Sequence, residues 1–309
     1  MAEQPPIIAI MGPTATGKTL VAAVVARALG GEIISVDSMA VYRGMDVGTA
    51  KPDPEERGTV PFHLIDVADP DDPFNVARYK ELADTELAAI RERGRRPIVA
   101  GGTGLYIRAL LEGFGLTTTP PDKELRHELE IEAKVGGTAR LHEKLRNLDP
   151  GAASKIHGND KVRIIRALEV CIRTGSQIST QHVLDARRRR PLNAVKFGLT
   201  AGREELNRRI DARVDQMIAR GLEGEVRNLI GRGYGPTLSM RSLGYKEISA
   251  YIAGEIDLPA AVQAIKQNTR RFAKRQLTWF RAEKDLTWID VEGKTPPEIA
   301  TEIIAQLPV

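Results

Sequence analysis

The 309-residue chain is predicted to be an α/β protein, a P-loop parallel sheet flanked by helices and carrying an all-helical insertion domain. Three observations predict this. The apolar run Ile7-Ile8-Ala9-Ile10-Met11 leads straight into Gly12-Pro13-Thr14-Ala15-Thr16-Gly17-Lys18-Thr19, a complete G-x-x-x-x-G-K-T phosphate-binding loop, and a helical pattern follows it. Strand-like and helix-like segments alternate over the first third, as a parallel sheet covered on both faces requires. From Asp122 to about Arg187 that alternation stops and only helical spacing remains.

Taken in order, Ile7 to Met11 reads as a buried strand and Leu20 to Leu29 as a helix stopped by Gly30-Gly31. Glu32 to Val36 is a second strand ending at Asp37-Ser38, and Phe62 to Val67 a third. Asn75 to Arg91 has helical spacing with Asn75 placed as an N-cap. Pro97 to Ala100 is a fourth strand, closed by Gly101-Gly102-Thr103-Gly104, and Leu105 to Glu112 reads as a helix. Thr117-Thr118-Thr119-Pro120-Pro121 marks the change of texture. Beyond it, three apolar sets fall at helical spacing: Leu125, Leu129 and Ala133; Leu141, Leu145 and Leu148; Ile164, Ile165, Leu168 and Ile172. Asp149-Pro150 breaks the pattern once. Ala194 to Leu199 reads as a returning strand, Glu204 to Arg220 and Leu222 to Arg232 as helices, Pro259 to Glu283 as a long helix, and Thr287 to Asp290 as a last strand. The expected domains are therefore 1–119, the first part of the core; 120–189, the insertion; and 190–309, the rest of the core.

With 42% hydrophobic residues the chain can bury a sizeable core. Its single cysteine, Cys171, sits among Leu168, Val170 and Ile172 and reads as a small core residue; no internal disulfide is possible, which fits a reducing cytoplasm. No apolar run approaches the ~18 residues of a membrane span, and the stretch before the first strand, with Glu3 and two prolines, does not read as a signal peptide. The net charge of +4 says little, but its distribution says more. Arg187-Arg188-Arg189-Arg190 is an unbroken block, and Leu258 to Arg281 holds no acidic residue while containing Lys266, Arg270, Arg271, Lys274, Arg275 and Arg281. Within that helix Ile265, Phe272 and Trp279 recur every seven residues and are predicted to share a buried stripe. Lys266, Arg270 and Lys274 form one adjoining row, Arg271 and Arg275 another, which points to contact with a phosphate backbone.

The glycines of the loop let backbone N–H groups turn around a phosphate; Lys18 adds a full positive charge, and the Thr19 hydroxyl can ligate Mg²⁺. A di- or triphosphate ligand is implied. Asp37, at the end of the second strand, could hold Mg²⁺ through water, act as a general base, or simply cap the following segment. Thr103 can offer a hydroxyl to a phosphate or a base. His63, inside an apolar strand, reads as a satisfied core histidine, and Asp66 is the only other candidate for an acidic strand end. No His/Cys cluster has zinc spacing and no serine has a nucleophile-elbow context.

Several segments together resemble one family, the tRNA dimethylallyltransferases (tRNA isopentenyltransferases). They are Gly12 to Thr19; Asp37-Ser38-Met39-Ala40-Val41-Tyr42-Arg43-Gly44-Met45-Asp46; Gly48-Thr49-Ala50-Lys51-Pro52; His63-Leu64-Ile65-Asp66; and Gly101-Gly102-Thr103-Gly104-Leu105-Tyr106. Then come Asn159-Asp160 with Arg163 and Arg166 to Val170; Leu243-Gly244-Tyr245; and Ala273-Lys274-Arg275-Gln276-Leu277-Thr278-Trp279. The resemblance implies transfer of a dimethylallyl group from its diphosphate to N6 of the adenosine just 3′ of the anticodon. It implies that Gly12 to Thr19 hold the diphosphate of an isoprenoid rather than ATP, with Lys18, Arg213 and a Mg²⁺ on Thr19 neutralising the leaving group. Asp37 then becomes the base, and Thr103 resembles the family's threonine at the mouth of the reaction channel. By the same resemblance the anticodon stem-loop of tRNA meets Asp37, Ser38, Met39, Ala40 and Thr103, then Arg126 and Lys161-Val162-Arg163-Ile164-Ile165 on the insertion. Arg241 to Lys246 and Thr269 to Arg275, with Arg270, Lys274 and Arg275, add contacts from the core. A monomer is expected.

Two positions depart from the family pattern. Ala40 stands where the family has Gln, and Gly158 precedes Asn159-Asp160 where Pro is usual, with Val162 at a commonly polar place. Three rival activities use the same loop: an ATP-dependent kinase of a small substrate, an enzyme prenylating free adenine nucleotides, and an RNA-binding module without catalysis. The insertion and the basic helix argue against a mononucleotide acceptor, which needs neither.

Overall fold

β1 (Ile7–Met11) is apolar and buried along its whole length, the signature of a strand covered on both faces. A computed structural model describes residues 5–113, 119–181 and 190–308 and places β1 inside a six-stranded sheet. The strands are β1, β2 (Gly31–Val36), β3 (Phe62–His63), β4 (Arg96–Gly101), β5 (Ala194–Thr200) and β6 (Leu286–Asp290), in the order β3-β2-β4-β1-β5-β6. Every neighbouring pair is parallel.

Alternate residues of β1 feed opposite layers, as a two-residue repeat demands. Ile8 and Ile10 pack with Val21 and Val25 of α1 (Lys18–Leu29) and with Ile299 and Ile303 of the last helix, Pro296–Ala305, which the sequence pattern did not reveal. Ile7, Ala9 and Met11 pack instead on α3 (Val76–Glu92) and α4 (Gly104–Leu111), through Tyr79, Leu87, Ile90 and Ile107. Between β2 and β3 lies the one-turn helix α2 (Pro54–Arg57). Asn75 caps α3 as expected, its Oδ1 accepting from the Ala77 and Arg78 amides.

β3 is shorter than expected. The pattern predicts a strand through Val67, but Leu64 and Asp66 take positive φ values of 62° and 58°. The Asp66 and Val67 amides turn to the carbonyls of Ala40 and Val41 instead. The chain leaves the sheet because another segment offers these amides their acceptors.

Contacts divide the chain into two units, residues 1–111 with 192–309, and residues 112–191. In the second unit α5 (Lys123–Leu148) is interrupted at Gly137 (φ 77°), α6 (Pro150–Ala153) is capped by Asp149, and α7 (Lys161–Thr174) follows. Leu129, Leu141, Leu145, Ile164 and Leu168 form its core. Glu169 is wholly buried there; it accepts from the Asp122 amide and a bidentate pair from Arg126, and it bonds Arg166. These donors outweigh the burial that opposes ionisation and hold the Glu169 carboxyl below its usual range. The end of the expected helical pattern, residues 182 to 187, and Arg187 to Arg189 of the arginine block fall outside the described residues, as do Thr117 and Thr118.

In the first unit the segment between β5 and β6 forms four α-helices: α8 (Arg203–Ala219), α9 (Leu222–Gly231), α10 (Tyr245–Ile252) and α11 (Leu258–Arg281). The α10 helix was not expected. At the boundary, the Leu192 amide donates to the Leu111 carbonyl at 2.8 Å, so the chain on either side of the second unit is joined within the first.

Candidate active site

The carboxyl ends of β1, β2 and β4 open onto one cavity of about 530 Å³, and each end delivers chemistry to it. After β1, Ala15 and Gly17 take left-handed conformations (φ 66° and 78°), which curl the loop back on itself. No side chain caps α1 at Gly17. The amides of Ala15 to Thr19 form no hydrogen bond among the described residues. They are a ready anion cradle, reinforced by the positive end of the helix. The Thr14 amide, also within the expected Gly12 to Thr19 loop, is different: it donates to Gln276 Oε1 at 2.8 Å and is not free for a phosphate. Pro13 and the buried Thr16 support the loop from behind, Thr16 Oγ1 donating to the Pro13 carbonyl at 2.9 Å. Gly12 lies against Leu199 on β5.

Lys18 and Arg213 supply the full charges. Lys18 Nζ donates to the Pro13 carbonyl at 2.6 Å, and Arg213, from α8, donates to the Thr49 carbonyl at 3.4 Å. Among the described residues neither forms an ion pair. Burial, helped by the nearby Arg213 and opposed by Asp37, pulls the Lys18 ammonium down to about 7. Burial also lowers Arg213 from its ordinary value. Two desolvated cations lining one cavity are suited to a polyanionic ligand.

After β2, Asp37 Oδ1 accepts from the Met39 and Ala40 amides at 2.8 and 3.2 Å. The capping role is thus real, and it fixes the carboxylate on the cavity wall with Ser38, Met39 and Ala40 beside it. After β4, Thr103 Oγ1 accepts from the Ser38 amide at 3.1 Å, tying the β4 end to the β2 end. Gln276 Nε2 on α11 donates to the Gly102 carbonyl at 2.9 Å. Through its two amide atoms Gln276 therefore links the phosphate loop to the turn holding Thr103. A side chain on Gly102 would collide with it. Residue spacing gave no hint of Gln276; its place in Ala273 to Trp279 was the one available signal.

A family description, IPP transferase, matches residues 40–283. The chain belongs to this family. It is 50% identical to a tRNA dimethylallyltransferase of Desulforudis audaxviator, over 99% of both chains. It is similar to the full-length tRNA isopentenylpyrophosphate transferase of Bacillus halodurans at 44% identity and TM-score 0.72, covering 98% of this chain and 96% of that one. A eukaryotic dimethylallyltransferase crystallised while acting on tRNA shares the fold at TM-score 0.82 and 24% identity, over 99% of this chain and 81% of that one.

Of the IPP transferase residues expected at the site, Thr14, Ala15, Gly17, Lys18, Thr19, Asp37, Ser38, Met39, Ala40, Thr103, Arg213, Lys246 and Arg275 line the one cavity. Others sit differently. Ile164 and Ile165, expected against tRNA, are buried in the insertion core and offer no exposed side chain there; Val162 beside them is 75% exposed. Arg126 is committed to Glu169, and Arg163 pairs with Asp160 at 3.4 Å. Lys161 and Arg241 are exposed.

On α11 the seven-residue stripe fails: Ile265 is buried but Phe272 is 39% exposed, with the Arg275 guanidinium 5.8 Å from its ring centre. The buried face runs Ala261, Ile265, Thr269, Ala273, Gln276, Phe280, because a straight helix turns every 3.6 residues and drifts off a strict heptad. The neighbouring cationic row is also less free than its sequence implies. Lys266, only 14% exposed, pairs with Asp215 at 2.7 Å, and Arg270 pairs with Asp211, both acids coming from α8. Lys274 and Arg275 form no ion pair among the described residues. His63 lies between Glu32 (2.8 Å) and Glu86 (3.0 Å), a satisfied histidine, and Asp66 binds Lys51 at 2.5 Å rather than serving the phosphate loop.

Proposed function

We infer that this chain transfers the dimethylallyl group of dimethylallyl diphosphate to N6 of the adenosine 3′-adjacent to the anticodon in tRNA. One observation carries the reading: a carboxylate, Asp37, shares a cavity with an amide cradle and two cations that form no ion pair among the described residues. The diphosphate sits on the Ala15 to Thr19 amides, Lys18 and Arg213. As the allylic C–O bond breaks, negative charge grows on the departing pyrophosphate, and donors already in place stabilise it without reorganisation.

The nucleophile is the exocyclic amine. Asp37 Oδ1 is held by two amides, while Oδ2 forms no hydrogen bond among the described residues and can accept from N6–H. As the N6–C bond forms, the nitrogen becomes acidic and its proton passes to Asp37. The adenine must leave its stack to enter the cavity, and an unpaired anticodon loop makes that extrusion cheap. Thr103 stands beside Asp37 at the acceptor end. Ala40, in place of the family's Gln, leaves that wall apolar.

Thr19 would hold a Mg²⁺: it lines the cavity and its hydroxyl forms no hydrogen bond among the described residues. The described residues hold no cluster of three or more His, Cys, Asp or Glu able to bind a metal alone. Bound there, the ion would neutralise charge on the leaving group. For tRNA we propose Lys161, Val162 and Arg163 on the insertion, and Arg241, Lys246, Arg270, Lys274 and Arg275 on the core. A cytosolic monomer fits this reading; no described helix is long and apolar enough to cross a membrane.

Incubating the chain with dimethylallyl diphosphate, Mg²⁺ and unmodified tRNA, then weighing digested nucleosides, tests the reading. The expected product is an adenosine heavier by one isoprene unit, formed with pyrophosphate and lost in Asp37→Ala. Prenylation of AMP but not tRNA, or ADP release from ATP with no prenylated base, would overturn it.

A further inference from the structure

We infer that Glu225 is a positioning residue for this transfer, fixing the segment that aims Arg213 at the diphosphate. The inference rests on the function proposed above. Glu225 projects from α9, away from every motif that marks the site in the sequence. Its Oε2 accepts from the Asp46 and Val47 amides at 2.9 and 2.7 Å, and its Oε1 from the Gly48 amide at 3.1 Å. The Tyr245 hydroxyl adds a fourth donor at 2.6 Å. Successive main-chain amides converging on one carboxylate form an anion nest, here filled by the protein's own side chain.

The nest has a close-packed floor. A Cβ on residue 48 would lie 2.5 Å from Tyr245 Cε2, so only glycine lets the main chain approach Glu225. Further along, Lys51 is buried and donates to the Tyr42 carbonyl (2.5 Å), Asp46 Oδ1 (2.7 Å) and Asp66 Oδ1 (2.5 Å). The stretch from Asp46 to Lys51 is thus pinned at both ends, with Ala50 held at φ 48° between them. Thr49, inside that stretch, bonds the Met45 carbonyl through its hydroxyl at 2.6 Å and presents its own carbonyl to Arg213.

That carbonyl is the hydrogen-bond partner of Arg213 among the described residues, and no carboxylate pairs with its guanidinium. A long side chain with so little to hold it loses its aim when the acceptor moves. Misplacing a charged donor by about 1 Å can cost on the order of 100-fold in rate. Glu225 therefore acts on the leaving group through the Thr49 carbonyl and Arg213.

A double-mutant cycle on the full chain tests this, using Glu225→Ala, Arg213→Ala and the double variant, with thermal melts recorded for each. Glu225→Ala is expected to lower kcat by about 10- to 100-fold with KM for tRNA unchanged. In the Arg213→Ala background the same change should cost less than about twofold, because the residue it acts through is gone. Glu225→Gln keeps two acceptor lone pairs and should recover part of the loss. If Glu225→Ala does not fold, Tyr245→Phe, which removes one donor of four, carries the cycle with smaller effects in the same direction. Multiplicative losses in the double variant, or a fall in kcat that tracks melting temperature alone, would overturn the inference. Wild-type protein that prenylates no tRNA would instead overturn the proposed function.

Discussion

The α/β unit and the helical unit treat arginine in opposite ways. In the first, Arg213 and Lys18 line one cavity without forming an ion pair among the described residues, and burial lowers the proton affinity of both. In the second, Arg126 and Arg166 converge on the buried Glu169, and the three charges settle one another. The difference teaches how to separate a cation kept for a ligand from one used by the fold: what matters is whether the structure supplies its counter-charge. Row 266–270–274 on α11 lies between these extremes, since two of its members are paired at the surface and Lys274 has no ion pair among the described residues.

The largest expected effect of breaking this contrast comes from Lys18→Met. Losing a preorganised donor to developing charge should lower single-turnover prenyl transfer by about 100- to 1,000-fold. Because the folded chain gains little from a desolvated ammonium, the melting temperature should stay level or rise. A large fall in stability would place Lys18 with the structural cations. Next, Glu169→Gln should destabilise the helical unit by about 3 kcal/mol, since it strands two arginines, and leave pyrophosphate binding by the α/β unit intact. Denaturation followed by hydrogen exchange in each unit reads both outcomes.

Acid gives the same contrast without mutation. Glu169 has a folded pKa below its unfolded value near 4.5, so its contribution is complete above that pH and fades as pH falls through the lower folded value. Hydrogen-exchange protection in the helical unit should fall over that window in wild type and stay flat in Glu169→Gln. In the α/β unit, Lys18 near 7 is largely neutral at pH 8, and a bound pyrophosphate recharges it. Calorimetry in buffers of different ionisation enthalpy should show up to about one extra proton taken up at pH 8 compared with pH 6 in wild type, absent in Lys18→Met. The smallest expected effect is that of Asp211→Asn. Freeing Arg270 from a surface pair worth about 0.2–1 kcal/mol should tighten tRNA binding at most severalfold and steepen its salt dependence. No change would mean that Arg270 does not reach a phosphate.

Much of this was legible before any coordinates. The strand–loop–helix around Gly12 to Thr19, the strand ends carrying Asp37 and Thr103, and the helical character of the insertion follow from local periodicity and turn chemistry. What escaped depends on partners distant in sequence. β3 stops at His63 because the Ala40 and Val41 carbonyls capture the amides that would have continued it. The α11 row looked wholly free because its counter-charges, Asp211 and Asp215, lie 59 and 51 residues before their partners on a helix with its own unremarkable pattern. Ile164 and Ile165 lie in a segment whose resemblance implied an RNA contact, while their helical spacing pointed inward, and the spacing prevailed. Gln276 and Glu225 left no trace in any short-range rule, since each bonds main-chain groups more than 170 residues away.

The hydrogen bond from Leu192 to Leu111 carries an engineering consequence. Residues on either side of the helical excursion already touch, so a tight turn could splice them and leave the sheet's wiring unchanged. The same junction would accept a foreign module in its place, which makes it a socket for grafting other helical units onto an unaltered sheet.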